Sequence, residues 1–573
     1  DVISGLESYT DQQITDLVGG APGALDTLNE LAAALNDNDS FSTWVTNQLA
    51  TKLDASTYTA SDILSKLITV DGANSGLNAD TLDGNDATAF EPVGTVANRR
   101  VDTGDGLNGG GDLSQDRTLT VDNTVARDTD LQAIETRKRL DREATLKADF
   151  VTEEFVLYQG ISDGMVSVPY ETMFNHSRTS TATGFTPNGE LATAAIDRKR
   201  SVYDPATGKP QGLLIEEQRT NVLLDNRNLS TGNWFISGAS FLADQTGVDG
   251  SSNSAHTITD SDTNNTDSIR QRFSIADDSS THTSAVYIKK DNDTSRFPEI
   301  RIWLIDGLTD VQHSVHLNTN DGTLTARENE GNDTASVTDA GDWWRAEIQV
   351  TNNGTGNTRI STELFPAITT TAGSIESSAT GSIVYDFGQV ELNTNKATSP
   401  IETNGSQVTR AADNVSRMLG DEFNHNSFTH YFSFIGLPTT LTSSTHLLSL
   451  ATNTTSSGTP GISYRITNNG SQVIQIVSDN GVVWASHSIV NDLKINGKNK
   501  VAISTDVIAG NAKICINGVI VFSDSGLSGT FNNLTKQWLQ DHMGRSSLKL
   551  IKDLLYPRAL TDQELIDLTT PEE

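Results

Sequence analysis

Across residues 223–573, clusters of Asp, Asn, Ser and Gly recur at short intervals, and several stretches between them alternate apolar with polar side chains. A period of two puts one set of side chains on a buried face and the other in solvent, as in a half-buried strand. Turn signals this closely spaced leave room only for short antiparallel strands, so the pattern predicts β-sandwiches. The first spans 223–415, where residues 284–289 and 300–305 alternate most clearly. A second is expected at 416–573, where Asp479-Asn480-Gly481 and Asn517-Gly518 each separate two apolar runs. In such hairpins Gly, with Asn or Asp, supplies positive φ. The end of the chain reads as a helix start: Thr561 with Glu564 makes a capping box, and Leu560 with Leu565 a hydrophobic staple.

A chain of 573 residues is too long for one core, and hydrophobic residues at 35% keep each core small. Acidic residues number 74 against 40 basic ones, a formal net charge of −34. This argues against nucleic acid, whose binding rests on Lys and Arg releasing counterions, and against a polybasic membrane surface. No run of 18 apolar residues occurs, so no bilayer insertion is expected. Cys515 is the one cysteine, which rules out a disulfide framework and a Cys-based zinc site. The chain begins at Asp1 without Met or a signal peptide, and is expected to be the ordered part of something longer or a processed product.

The first ninety residues read as short helices. Leu25, Leu28, Leu31 and Leu35 recur every three or four positions, and Phe41, Val45 and Leu49 repeat the spacing after Asp39-Ser40. Such helices carry a single thin apolar stripe and are marginal alone. Each stripe needs a partner, either elsewhere in the chain or in a copy of itself about a symmetry axis. Residues 128–150, rich in Arg, Lys and Glu with Leu131, Ile134, Leu140 and Leu146 as apolar members, read as a solvated helix or short three-stranded neck.

Three segments carry a resemblance. Residues 20–31 (GAPGALDTLNEL), 58–84 (from YTASD to LNADTLDG) and 103–113 (TGDGLNGGGDL) are similar to repeats of tailed-bacteriophage tail fibres. Residues 212–221 (GLLIEEQRTN) resemble a phage connector. Residues 341–345, 388–391 and 408–413 resemble landmarks of a carbohydrate-binding-like jelly roll, and the ending resembles a concanavalin-A-like, laminin-G-type domain. The resemblance implies a homotrimeric virion protein of the phage tail with receptor-binding domains at its far end. The expected partners are other tail or baseplate proteins and a host cell-surface glycan.

The expected fold is thus mainly β and multidomain, with an elongated shaft followed by two antiparallel sandwiches. Its segments are fibre repeats at 1–90, a β-turn shaft and neck at 91–154, a connector at 155–222, the jelly roll at 223–415 and the concanavalin-A-like domain at 416–573. The last is expected to fold as a monomer when isolated and to bind weakly, with trimerisation supplying avidity.

Chemistry is sparse. Gly104, Gly106 and Gly109 match G-x-G-x-x-G, but no helix pattern follows to receive a pyrophosphate, so tight turns are the better reading. Asp260, Asp262 and Asn264 open like a calcium loop, yet Asn265 and Gln271 stand where Gly and Glu are needed. No cofactor is expected, with a looser calcium site left open. Between residues 416 and 560 Glu422 is the only glutamate, so the paired acids of a glucanase are absent there. His425 and His430 are expected as surface polar groups, and Cys515 as a core residue. Trp484, His487, Trp538 and His542 lie near hairpins or loops of the last domain and are the candidate ligand-binding residues, although core packing is the commoner fate of each Trp. No catalytic residue is named: the expected role is attachment without a chemical step, with a polysaccharide depolymerase and a structural spacer as alternatives.

Overall fold

Along the strand Phe297–Ile305, Ile300, Ile302 and Leu304 point into a core, and Glu299, Arg301 and Trp303 take the other face. That strand lies in a six-stranded antiparallel sheet ordered Phe235–Ser237, Ser268–Ser274, Arg359–Thr369, Phe297–Ile305, Val311–Leu317, Leu324–Ala326. A second six-stranded sheet runs Ser240–Gln245, Ala255–Asp260, Gly381–Glu391, Thr281–Lys289, Trp343–Thr351, Ala335–Ala340. Ile258, Ile288, Ile348 and Val350 of the second sheet pack on Ile269, Ile300, Ile302 and Ile360 of the first. This upstream sandwich matches the expectation from the alternation. The computed structural model describes residues 2–19, 41–52, 59–70, 99–104, 106–113, 115–121, 128–160, 164–327, 334–376, 378–435, 445–451, 461–466, 472–479, 481–488, 492–494, 497–539 and 548–571. It divides into two units, Asp1–Arg127 and Asp128–Glu573.

The first unit holds the helices Val2–Gly19, Phe41–Lys52 and Ala60–Val70, then two small ladders. Arg100–Val101 pairs with Gly111–Asp112, and Leu107–Asn108 with Thr120–Val121. Gly109 takes φ 99°, and a Cβ there would sit 2.0 Å from the Thr118 carbonyl oxygen. The glycine motif is therefore a tight turn between ladders. Apolar side chains stay exposed on all three helices, among them Ile3, Leu6, Leu49, Ile63 and Leu67. The stripe from Leu25 to Leu35 lies outside the described residues.

The downstream sandwich departs from the expected boundaries. Its larger, ten-stranded sheet is built on Leu548–Tyr556, which pairs with Ser427–Ile435 on one side and with Leu146–Asp149 and Pro210–Ile215 on the other. Glu154–Tyr158 and Met165–Ser167 continue that sheet. Its seven-stranded partner takes Asn175–Ser177 against Asn414–Met418. Residues 155–222, expected as a separate connector, thus supply strands to the second sandwich. The cause is chemical: Phe150, Phe155, Tyr170, Met173 and Phe174 have apolar surface to bury and bury it with Phe428, Phe432 and Leu450.

Nor is 128–150 a free neck. Helix Asp128–Glu143 packs on the C-terminal helix Asp562–Thr569, with Leu140 in one small core with Leu560, Leu565 and Leu568. Arg139 and Arg558 both bind Glu564 at 2.7 Å, and Arg558 also binds Glu143 at 2.6 Å. These pairs hold the Glu564 carboxyl well below the usual range. The capping box is present: Thr561 N donates to Glu564 Oε2 at 2.8 Å, and Glu564 N to Thr561 Oγ1 at 3.3 Å. Thr561→Ala is expected to cost about 1 kcal/mol in a denaturant titration, the ordinary value of an N-cap.

The resemblance motifs at 212–221 and 408–413 meet between the two sandwiches. Arg219–Asn221 pairs with Val408–Arg410, and beside that ladder lies a buried ion network. Asp413 accepts from Arg178 at 2.7 Å, from Arg200 and from the Glu216 amide at 2.9 Å. Glu216 accepts from Arg200 at 2.6 Å, from Arg410, and from the Ser399 amide and hydroxyl at 2.7 and 2.6 Å. Burial opposes both carboxylates, but the guanidinium groups prevail, setting Glu216 at about 2 and Asp413 lower still.

Candidate functional site: a polar cleft on the upstream sandwich

Four turns converge on one edge of the upstream sandwich. A hairpin of Ala182–Phe185 and Leu191–Ala194 carries the first, Pro187-Asn188-Gly189-Glu190. Leu191 docks it: its amide donates to the Val248 carbonyl at 3.0 Å, and its side chain is buried with Val248, Tyr287, Trp343 and Phe387. The second turn starts at Asp204, whose Oδ1 accepts from the amides of Ala206 and Thr207 at 3.1 and 2.8 Å. Gly189 at φ 80° and Gly341 at φ 74° both approach the Pro205 carbonyl oxygen, where a Cβ would stand 2.6 and 3.0 Å away. Larger residues there would force the turns apart.

The third turn, 246–250, is fixed from below. Arg227 forks onto Asp249 at 2.7 and 2.9 Å and onto Asp386 at 2.7 and 2.9 Å, while lying 4.0 Å over the Phe387 ring. Burial works against the Asp249 carboxylate, yet the Arg227 hydrogen bonds keep it below the ordinary range; at Asp386 burial dominates and pushes the carboxyl up. The fourth turn holds Asp339 and Asp342. Lys290 Nζ binds Asp339 at 2.6 Å and sits 4.1 Å over the Trp344 ring.

Together the turns enclose a cleft of about 470 Å³ that presents Asn188, Glu190, Lys290, Asp339, Asp342 and several backbone groups. Three carboxylates against one ammonium make it rich in acceptors and unwelcoming to anions. A ligand with many hydroxyl donors meets that demand. The landmark at 341–345 was legible in the sequence. Nothing in the sequence marked Asn188 and Glu190 beyond a turn-forming Pro-Asn-Gly, because their meaning lies in which other turns they meet.

The residues named from sequence are not brought together. Trp484 is 1% exposed, donates its indole N–H to the Ser528 carbonyl at 3.1 Å and stands edge-on to Phe531, so it is a core residue. His487 bonds Asp492 at 2.8 Å on an edge strand. Trp538, half-buried beneath Lys536 at 3.9 Å, is separated from that strand by three others. At about 4.8 Å per strand the two lie on the order of 19 Å apart. His542 lies outside the described residues. His430 is buried rather than a surface group, with Nε2 2.7 Å from Asp553, whose other oxygen accepts from Gln537 at 2.6 Å. Cys515 is buried beside Thr569, as expected of a core residue. Asp260 and Asp262 turn their carboxylates to the amides of their own loop. Among the described residues, no group of three or more His, Cys, Asp or Glu is placed to hold a metal ion. No described helix is long and apolar enough to cross a membrane.

No protein-family model matches the sequence, and no curated protein matches it. Among solved structures, the chain is similar to the CBM40 of Ruminococcus gnavus IT-sialidase bound to α2,3-sialyllactose, at 17% identity over 26% of this chain and 84% of that one, with a TM-score of 0.22. It is also similar to domain 4 of AbnA, a GH43 extracellular arabinanase from Geobacillus stearothermophilus in complex with arabinotriose, at 16% identity over 30% and 82% of the two chains and a TM-score of 0.23. The botulinum neurotoxin type G receptor-binding domain follows at 16% identity, covering 27% of this chain and 39% of that one, with a TM-score of 0.21. At these scores the likenesses carry no argument about ligand or role.

Proposed function

We propose that this chain is a non-catalytic glycan-binding protein that serves host attachment as a homotrimeric tail fibre of a tailed bacteriophage. The observation that carries the binding role is the acceptor-rich cleft between Glu190, Asp339 and Asp342. Carboxylates that bridge neighbouring hydroxyls gain roughly 1.5–3 kcal/mol per charged hydrogen bond, enough to orient a sugar in a shallow site. The viral role rests on the tail-fibre repeats at 20–113. Self-assembly is supported by the apolar side chains exposed on the helices of the first unit, which a copy of the same chain would cover.

A glycan array probed with the full chain tests the reading. Neutral glycans are expected among the hits, and Glu190→Gln with Asp342→Asn is expected to weaken them at least about tenfold, the equivalent of one lost charged hydrogen bond. EDTA is expected to leave binding unchanged, and prolonged incubation to release no oligosaccharide. Released oligosaccharide would favour the depolymerase. An empty array would favour the spacer. Sedimentation at the mass of one 61.5 kDa chain would remove the trimer.

A further inference from the structure

The face of the Phe235–Ser237 to Leu324–Ala326 sheet that turns away from the core is charged, and the register shows how. Arg270 stands opposite Phe235 on one side and Glu363 on the other. Glu363 is in turn opposite Arg301, and Arg272 is opposite Ser361. Directly opposed residues share a face, and Ile269, Ile300, Ile302, Ile360 and Leu364 hold the core side. Three guanidinium groups therefore surround one carboxylate, in a chain whose formal charge is −34.

The three are not equivalent. Arg301 donates to Glu363 Oε2 at 3.2 Å and binds Glu299 Oε1 at 2.5 Å, and the Ser361 hydroxyl donates to Glu363 Oε1 at 3.2 Å. Arg270 and Arg272 approach that Oε1 only to 3.6 and 4.0 Å, beyond hydrogen-bond reach. Their side chains keep 27% and 33% of their surface in solvent. Arg270 is held with its guanidinium carbon 4.2 Å over the ring of Phe235, itself 55% exposed. Two arginines on one strand face thus lie part-exposed beside an exposed aromatic ring, neither within hydrogen-bond reach of Glu363. They lie about 7 Å apart, two residues along a strand. The Glu363 carboxylate behind them is already engaged by Arg301 and Ser361.

We infer that Arg270 and Arg272 form a second carbohydrate site, taking an acidic polysaccharide whose carboxylate groups sit in the guanidinium forks and whose sugar rings lie against Phe235. Guanidinium matches carboxylate with two parallel hydrogen bonds, which a lysine ammonium cannot do. The site differs in sign from the cleft, whose three carboxylates refuse such a ligand, and the two stand or fall separately. It also gives a strongly acidic protein a local means of holding an acidic surface: repulsion from distant charges is screened beyond about 8 Å at physiological salt, whereas the contact itself is not.

The test uses the full chain, with polygalacturonate, dextran sulfate and neutral dextran as probes in titration calorimetry at 0.15 M salt. Polygalacturonate is expected to bind and dextran not to. Arg270→Gln with Arg272→Gln is expected to weaken polygalacturonate at least tenfold, and the double lysine variant to fall between the two. Glu190→Gln with Asp342→Asn is expected to leave this binding unchanged. Failure of polygalacturonate to bind, equal binding of dextran, or binding of dextran sulfate alone would overturn the assignment. So would full binding by a double glutamine variant. Should that variant melt early, the double lysine variant decides: polygalacturonate binding weaker than that of the wild-type chain supports the site, and binding equal to it overturns it.

Discussion

Residues 416–573 produced alone are expected to be unfolded or aggregated, whereas residues 128–573 fold and melt cooperatively. The shorter piece lacks Leu146, Phe150, Phe155, Tyr170, Met173 and Phe174, all within the core of the downstream sandwich. Burying each such side chain is worth about 1.5–3 kcal/mol, so the six together supply roughly 9–18 kcal/mol. A domain's whole net stability is about 5–15 kcal/mol. The loss is not only apolar. Leu548–Tyr556 would surrender its pairing with Leu146–Asp149 and with Pro210–Ile215, leaving a bare edge in place of a central strand. The two fragments are compared by circular dichroism and thermal melting. A cooperative melt for 416–573 alone would show that the remaining strands suffice.

Replacing Asp413 by Ala is expected to be the most damaging single change at the junction of the two sandwiches. It leaves Arg178 without its carboxylate and Arg200 with Glu216 alone, both of them buried. Removing one partner of a buried ion pair typically costs about 3–5 kcal/mol, because the charge left behind is uncompensated. The acid dependence of the unchanged protein follows the same groups. Glu216 is held at about 2 against an ordinary 4.5, and Asp413 also lies below its usual range. Groups with depressed values stabilise the fold above their unfolded values, and that stability is lost as pH falls toward the folded ones. The network is therefore expected to hold at pH 5 and to weaken between pH 4.5 and about 2, with Asp413→Ala flattening that part of the stability curve. Denaturant titrations across this range measure both effects. An unchanged midpoint for the alanine variant at pH 7 would rule them out.

Local chemistry was what the sequence disclosed. The Asn517-Gly518 hairpin is there, with φ of 49° and 87°, because two successive residues with positive φ demand those side chains. The capping box at Thr561 is there because its donors and acceptors are three residues apart. The upstream sandwich was legible because its turns are short and closely spaced, although Thr281–Lys289 and Arg359–Thr369 are buried on both faces. What stayed hidden is pairing across distance: the Leu146–Asp149 pattern announces a strand but not that its partner lies near the other end of the chain. Trp484, named for its place near a hairpin, lies in the core, because proximity to a turn and burial leave the same trace in a sequence. His430 was misplaced for a related reason, since the Asp553 and Gln537 that make its burial tolerable come from other strands. The cleft was half visible, as single turns whose convergence only the sheets determine.

The route of the chain through the downstream sandwich also sets an order of assembly. The Thr145 hydroxyl bonds the Leu555 carbonyl, 410 residues further on. A closed upstream sandwich joins Asn221 to Val408 and shortens that loop by nearly half. Closure entropy grows only as the logarithm of loop length, so the saving is about 0.5 kcal/mol, too little to matter for stability. Timing is another matter. All twelve strands of the upstream sandwich lie between Phe235 and Glu391, so it can close while the rest of the chain is still being synthesised. The ten-stranded sheet must wait for Leu548–Tyr556, and until that strand leaves the ribosome the apolar faces of 146–177 have nowhere to go. A cell making this protein therefore holds, from the synthesis of Glu391 to that of Tyr556, a finished sandwich tethered to an unfinished and adhesive one.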